Sequence, residues 1–235
     1  MMLMSRVTYV LVVITLLGNG VYTHSSLQTE EVSGFRDTYS QRKQTLDAVK
    51  LLDRELELLS NINHRCGQLT FGCKKWKLDE YVLILRELSK YYATYNTEER
   101  QLSINAKYML LSSLVKRAFK EMGFVGFYSV QGYSGTERLE IAPYASSIFA
   151  TPIIMRGKGV CGETWHRGAT MLIPDVTKHP NYIACDEFTL SEIVVPYYDL
   201  QGAVKAVLDI DAEMRDYFDP TDQICLEEIT KMLNF

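Results

Sequence analysis

The chain has 235 residues, a length that suggests one domain with an extension or two small domains. Its apolar content of 47% is enough to build a hydrophobic core, and 25 basic residues against 29 acidic ones give a net charge of only −4. Because no basic patch stands out, we expect no nucleic-acid partner.

Residues 1–26 differ in character from the rest of the chain. Arg6 is followed by an apolar run from Val7 to Leu17, which Gly18 interrupts. A run of about ten apolar residues fits the core of a secretory signal peptide and is short for a membrane-spanning helix. We predict a signal peptide or, alternatively, a membrane anchor here. A false start upstream of a cytosolic protein also remains open, so the compartment is left undecided.

An amphipathic helix is predicted between Phe35 and Asn63, where apolar residues recur at three- and four-residue steps among charged ones. Because only about three heptads are available, we favour packing on the following domain over pairing with a partner helix. We assign residues 27–77 to a helical extension and a loop, and residues 78–235 to the main domain.

The loop after this helix contains Cys66 and Cys73. In an oxidising compartment these thiols could close a small disulfide loop, whereas in a reducing compartment they would remain idle. Their spacing matches no zinc pattern, and we expect no metal at this loop.

Two more helices are predicted next. The segment Asp79–Ala93 has one apolar face, and a further helix begins at a cap formed by Asn96 or Thr97. That helix runs to Met122, where Gly123 closes it.

Six short segments that alternate apolar and polar residues follow, and this period of two predicts strands. A last helix starts with Asp219 as its N-cap and Pro220 as its first residue. This order of elements predicts the α+β class, with one mixed or antiparallel sheet covered by helices. The predicted strands are 124–131, 137–144, 150–155, 169–173, 192–198 and 203–211.

Carboxylates are concentrated near the end of the predicted sheet. Asp209 and Asp211 are two apart on one strand, so they share a face about 7 Å apart. A solvated strand face is the ordinary interpretation of this spacing, and Glu192 alone would be a surface acid. Two neighbouring carboxylates repel unless a cation lies between them, however, and the ammonium group of a small ligand would serve.

Two cysteines lie in the same part of the sequence, in segments predicted as loops. Cys161 is flanked by Gly159 and Gly162, which let the backbone approach a ligand or another thiol, and Cys185 is followed directly by Asp186. Taken alone, each thiol would be a small buried hydrophobe. Histidines in the same stretch leave a Cys–His hydrolase open as an alternative.

Five motifs and an upstream strand resemble the GAF-fold free methionine-(R)-sulfoxide reductases, which reduce the free amino acid sulfoxide. The resemblance spans about Leu78 to Phe235 and is most specific in the second half. The motifs are Gly159–Gly162 (G-V-C-G), Asp175-Val176 (D-V), Ile183–Asp186 (I-A-C-D), Ser191–Pro196 (S-E-I-V-V-P) and Leu208–Asp211 (L-D-I-D), with Gly126–Tyr128 (G-F-Y) upstream.

The resemblance implies a role for each candidate residue. Cys185 would attack the sulfoxide sulfur and become a sulfenic acid, and Cys161 would resolve it to a disulfide. Glu192, Asp209 and Asp211 would bind the substrate ammonium group and protonate the sulfoxide oxygen. The substrate pocket would be lined by Phe124, Tyr128, Ile183 and Ala184.

The same resemblance implies the partners. An external thiol such as thioredoxin would recycle the disulfide, and no cofactor or metal would be needed. A homodimer is expected only by analogy with other GAF-fold proteins.

The sequence also departs from the family pattern. Thr151 stands where the family usually has its principal resolving cysteine, so resolution would fall to Cys161 or to a small-molecule thiol. Phe124 replaces a tryptophan, Asn181-Tyr182 replaces a Gly-His pair, and Glu163 replaces a small residue. The alternative function is a non-catalytic GAF module that binds a ligand or senses redox state.

Overall fold

The computed structural model describes residues 30–96, 101–184 and 187–235, with side chains described from residue 46 onward. The predicted signal peptide and Thr97 lie outside these residues, as do Cys185 and Asp186. Glu55–Phe235 forms one compact unit that contains the sheet. The domain bounds drawn from the sequence remain a prediction. Within the described part of the chain, no helix has both the length and the apolar character to cross a membrane.

Among the described residues, three helices precede the sheet, one interrupts it and one follows it. The helices are α1 (Glu30–Gly67), α2 (Lys75–Tyr95), α3 (Ile104–Ala118), α4 (Gly159–Arg167) and α5 (Pro220–Ile229). The strands are β1 (Met122–Gln131), β2 (Arg138–Ser146), β3 (Ile153–Ile154), β4 (Met171–Ile173), β5 (Ser191–Tyr198) and β6 (Val204–Ala212). Short 3₁₀ turns occupy Val176–Lys178 and Thr230–Asn234.

The six strands form one sheet in the order β3-β2-β1-β6-β5-β4, and every pairing is antiparallel. The predicted α+β class with a six-stranded antiparallel sheet is therefore confirmed. Because β1 pairs with β6, the first and last strands meet at the centre of the sheet. This arrangement also places β5 directly beside β6.

Helices cover both faces of the central strands. On one face, Tyr108 of α3 stacks on Phe127 of β1, with ring centroids 4.1 Å apart. On the other face, Val160 and Trp165 of α4 join a buried apolar cluster with Val207 of β6. The central strands are consequently buried on both sides.

Two predictions about α3 were wrong. Its N-cap is Ser103, whose side chain accepts a hydrogen bond from the Ala106 amide. Asn96 instead accepts a hydrogen bond from the backbone amide of Leu102. The helix ends at Ala118, and Gly123 lies within β1 rather than closing the helix. The cap at Asp219 with Pro220 in the first turn of α5 is confirmed.

Cys66 and Cys73 are joined by a disulfide, with their Cα atoms 5.1 Å apart. The bond closes the short loop between α1 and α2. Next to it, Arg65 pairs with Glu227 at 2.5 Å and with Glu228 at 3.1 Å, both on α5. Of the two states that the sequence left open for these cysteines, the structure has the disulfide.

Candidate active site

Cys161 lies in the first turn of α4, so the prediction of a loop was wrong. A tight backbone turn leads into this helix. The Lys158 amide bonds the Met155 carbonyl at 3.0 Å, and the Gly157 amide bonds the Gly162 carbonyl at 2.8 Å. Gly157 and Gly159 have φ values of 76° and 61°, a region in which glycine avoids the strain of a side chain. The turn therefore fixes where Cys161 enters the helix.

Gly162→Ala is expected to lower the free energy of unfolding by about 1–3 kcal/mol, because the site is already fully packed. A Cβ at this position would lie 2.4 Å from the Met155 carbonyl oxygen and 3.2 Å from the Gly157 nitrogen. Both atoms belong to the backbone, so no change of rotamer relieves the clash. Urea denaturation followed by circular dichroism measures the effect.

Gly67→Ala provides the matched control, because a Cβ there meets nothing within 4 Å. Its effect should stay within about 0.5 kcal/mol. Equal stability of the Gly162→Ala variant and the wild type would contradict the close packing described here.

Cys161 lies beside the predicted carboxylates. Its Sγ atom, one oxygen of Glu192 and one oxygen of Asp209 are all within 4.8 Å of one another. Glu192 on β5 is directly opposite Asp211 on β6, which lines the same cavity. All four side chains are buried. The ordinary interpretation of the Asp209–Asp211 spacing, a solvated strand face, does not hold, because α4 covers that face and both side chains are buried.

Burial controls the protonation of this group. It raises the pKa of Asp209 from 3.8 to about 6, although hydrogen bonds with Cys161 and Glu192 act in the opposite direction. Burial also raises the pKa of the Cys161 thiol well above its usual range, and the charges of Asp209 and Glu192 raise it further. Near neutral pH, Asp209 can therefore give or take a proton, while Cys161 remains a thiol.

A cavity of about 20 Å³ lies at this group, enough space for about one water molecule. None of the described residues that line it is a lysine, an arginine or a histidine. One oxygen of Asp209, Oδ1, is buried and has no hydrogen-bond partner among the described residues. The residues lining the cavity are Ile154, Gly159, Val160, Cys161, Tyr182, Ile183, Glu192, Asp209 and Asp211.

Of the four residues predicted to line the substrate pocket, only Ile183 is among the described residues that line this cavity. Ile183 lines the cavity, and its side chain would lie 3.2 Å from a Cβ added at Gly159. Phe124 and Tyr128 are buried in the apolar cluster that includes Cys161, but they do not line the cavity. Ala184 is exposed. Cys185 lies outside the described residues, and its pairing with Cys161 stays a prediction.

Glu163, two residues after Cys161 on α4, makes contacts that the sequence did not reveal. Its buried carboxylate accepts hydrogen bonds from Asn181 at 3.0 Å and from Arg167 at 2.8 Å, and it lies 3.2 Å from Nε2 of His179. These contacts tie α4 to the segment that leads to Ile183. The one available signal was that positions 163 and 181 both depart from the family pattern.

Known proteins that are similar in sequence and structure identify the fold of this chain. No family model matches the chain. The chain is 42% identical to GAF domain-containing protein A of Dictyostelium discoideum over 47% of its own length and 67% of that protein. It superimposes on the crystal structure of a free methionine-R-sulfoxide reductase from Neisseria meningitidis, in complex with its substrate, with a TM-score of 0.58. That match has 34% identity and covers 66% of this chain and 89% of the other. The fold is a GAF domain.

A curated relative defines the family more closely. The chain is 39% identical to the free methionine-R-sulfoxide reductase of Saccharomyces cerevisiae, over 52% of its own length and 69% of that protein. It therefore belongs to the GAF-fold free methionine-R-sulfoxide reductase family, as its motifs predict, and is an oxidoreductase.

Proposed function

We propose that this protein reduces free L-methionine (R)-sulfoxide to L-methionine. The observation that carries the proposal is the buried group of one thiol and three carboxylates around a cavity whose described lining residues include no cationic side chain. Such a site complements the ammonium group of a free amino acid, which a methionine residue within a protein lacks. The substrate of the yeast relative, as its name states it, agrees with this chemistry.

The first chemical step reduces the sulfoxide. The Cys185 thiolate attacks the sulfoxide sulfur while Asp209 donates a proton to the sulfoxide oxygen. Because the pKa of Asp209 is about 6, it can make that donation near neutral pH. In the adduct that results, the oxygen passes from the substrate sulfur to Cys185. The substrate's sulfur–oxygen bond and the new sulfur–sulfur bond both break, methionine leaves, and Cys185 becomes a sulfenic acid.

The second step resolves the sulfenic acid. Asp209 is ionised after the first step and is hydrogen-bonded to Cys161, so it can take the proton of that thiol. The Cys161 sulfur then attacks the Cys185 sulfur and the sulfur–oxygen bond of the sulfenic acid breaks. The oxygen leaves as water with the proton that Asp209 took up, and a disulfide forms. An external dithiol of the thioredoxin type reduces the disulfide and is itself oxidised. No bound cofactor takes part, and a homodimer remains an expectation by analogy.

Substrate entry requires a local change. A cavity of about 20 Å³ is too small for a whole amino acid. The side chain of Ile183 lines it and is 41% exposed, so it can swing towards solvent. We infer that the substrate displaces this side chain as its ammonium group reaches the carboxylates.

A turnover assay tests the proposed function. Wild type with dithiothreitol is expected to convert free methionine-(R)-sulfoxide and to leave the S epimer, and Cys185→Ser is expected to abolish turnover. Cys225→Ala is the control, because it removes a buried thiol on α5 that is not among the residues lining the cavity. Chromatographic detection of methionine measures the turnover rate of the wild type and of each variant.

The outcomes separate this function from the alternative. No turnover by the wild type in dithiothreitol would contradict the reductase and favour a non-catalytic ligand-binding or redox-sensing module. Thr151, in place of the usual resolving cysteine, is the feature that favours that module. Turnover with dithiothreitol but not with thioredoxin would show that thioredoxin does not reduce the oxidised enzyme. Such a result would still support reduction of the sulfoxide at Cys185.

A further inference from the structure

The donor atoms around the cavity match those of a metal site. Cys161 supplies a sulfur, and Glu192 and Asp209 each supply a carboxylate oxygen, with all three atoms within 4.8 Å of one another. Thiolate and carboxylate groups are both ligands of Zn²⁺, with bonds of about 2.3 Å to sulfur and about 2.0–2.2 Å to oxygen. Around a tetrahedral ion, bonds of these lengths hold the donor atoms about 3.4–3.6 Å apart. The donor separations, all within 4.8 Å, therefore need to shorten by at most about 1.4 Å to close around one ion.

A second, independent observation concerns Asp209, which lines this cavity. Asp209 is 3% exposed, and its Oδ1 has no hydrogen-bond partner among the described residues. Buried carboxylate oxygens normally have partners, so an unsatisfied one marks a place for a missing donor or cation. Asp211 lines the cavity as well and can serve as a fourth ligand.

The size of the cavity narrows the choice of occupant. Its volume of about 20 Å³ accommodates a single atom or water molecule. Mg²⁺ and Ca²⁺ prefer sites built from oxygen alone, whereas a site with sulfur and carboxylate donors suits Zn²⁺.

We propose that Cys161, Glu192 and Asp209 bind Zn²⁺, and that the bound ion inhibits this protein. The sequence predicts no metal cofactor, and the proposed ion is an inhibitor rather than a cofactor. It occupies the carboxylates that would otherwise meet a substrate ammonium group, and it engages the sulfur of Cys161. The binding inference stands without the proposed reaction; only the inhibition depends on that reaction.

Binding is tested without turnover, using Co²⁺ as a spectroscopic substitute for Zn²⁺. Wild type with reduced thiols is expected to show a thiolate-to-cobalt charge-transfer band that added Zn²⁺ removes. Cys161→Ala should abolish the band, and Asp209→Asn should weaken Zn²⁺ binding at least about tenfold. Circular dichroism confirms that the variants are folded.

Three further variants exclude the other thiols. The band should persist in Cys225→Ala and in Cys66→Ser/Cys73→Ser, whose cysteines are not among the residues lining the cavity. Absence of the band in the wild type would overturn the proposal, as would its persistence in Cys161→Ala. Its loss in Cys185→Ala but not in Cys161→Ala would also overturn the assigned ligand set.

Inhibition is measured separately, as the effect of Zn²⁺ on the KM and kcat for free methionine-(R)-sulfoxide. Competition should raise KM without changing kcat. A charge-transfer band in a protein that shows no turnover would support the metal site and contradict only the proposed reaction. A band accompanied by full turnover in saturating Zn²⁺ would overturn the inhibitory role.

Discussion

Lys77→Met is expected to lower the free energy of unfolding by about 3–5 kcal/mol, because it leaves a buried carboxylate without its cation. Lys77 is 1% exposed and Asp222 is fully buried, and the two form an ion pair. The Lys77 ammonium group also donates to the Tyr217 carbonyl at 2.8 Å. Tyr81 donates to the other oxygen of Asp222 at 2.9 Å. The network joins α2 to the start of α5.

The effect of Lys77→Met should depend on pH in a defined direction. Burial raises the pKa of Asp222, and the charge of Lys77 is the largest influence that opposes this rise. Without the lysine, the folded chain holds the carboxyl proton more tightly than the unfolded chain does. The variant should therefore be closest to the wild type in acid and lose stability relative to it as the pH rises. Urea denaturation at pH 5 and pH 8 measures this difference.

Two further variants separate charge from packing. Lys75→Met removes an exposed pair with Asp79 at 2.5 Å on the same helix, and it should change stability by less than about 1 kcal/mol. Lys77→Met/Asp222→Asn should be less destabilised than Lys77→Met, because no buried charge is left alone. Equal losses in the two Lys77 variants would show that packing, and not charge, explains the effect.

Strands were predictable because their signal is local. The alternation of apolar and polar residues placed β5 and β6 within one residue of their observed bounds: 192–198 against Ser191–Tyr198, and 203–211 against Val204–Ala212. Helix α4 was not predictable in this way. It is short and glycine-rich, and it is held by the turn from Met155 to Gly162, whose hydrogen bonds no periodicity records.

The sequence placed the carboxylates on one strand face but not their surroundings. The spacing of Asp209 and Asp211 sufficed for the shared face. Their burial depends on α4 covering the sheet, a tertiary contact between segments distant in sequence. The raised pKa of Asp209 follows from that burial and could not be inferred from the strand pattern.

Two departures from the family pattern become intelligible only together. Taken alone, Glu163 and Asn181 each count against the family resemblance. In the structure, however, the Asn181 side chain donates a hydrogen bond to the Glu163 carboxylate at 3.0 Å. The amide at position 181 supplies a donor that a small residue at position 163 would leave unused. A single sequence, read without an alignment, gives no sign that two side chains 18 residues apart form a hydrogen bond.

Asp209→Asn is expected to stabilise the protein at pH 8 while removing most of its activity. Burial raises the pKa of Asp209 from 3.8 to about 6. At a pH above both values, this shift lowers the free energy of unfolding by about 3 kcal/mol relative to its value in acid. Because the folded chain holds this proton more tightly, its stabilising contribution is complete below the unfolded pKa and is lost as the pH rises through about 6. An asparagine cannot ionise and so avoids that loss.

The free energy of unfolding of the Asp209→Asn variant should therefore exceed that of the wild type only slightly at pH 4 and by about 3 kcal/mol at pH 8. Its turnover should fall by about 10²–10⁴-fold, since the amide cannot donate a proton to the sulfoxide oxygen. Asp79→Asn, at an exposed carboxylate, is the control and should change stability by less than about 1 kcal/mol at both pH values. A variant that is less stable than the wild type at pH 8 would show that the ionised carboxylate is stabilised by contacts beyond those described. Greater stability combined with lost turnover would instead mean that the chain retains a destabilising buried acid because its chemistry requires one.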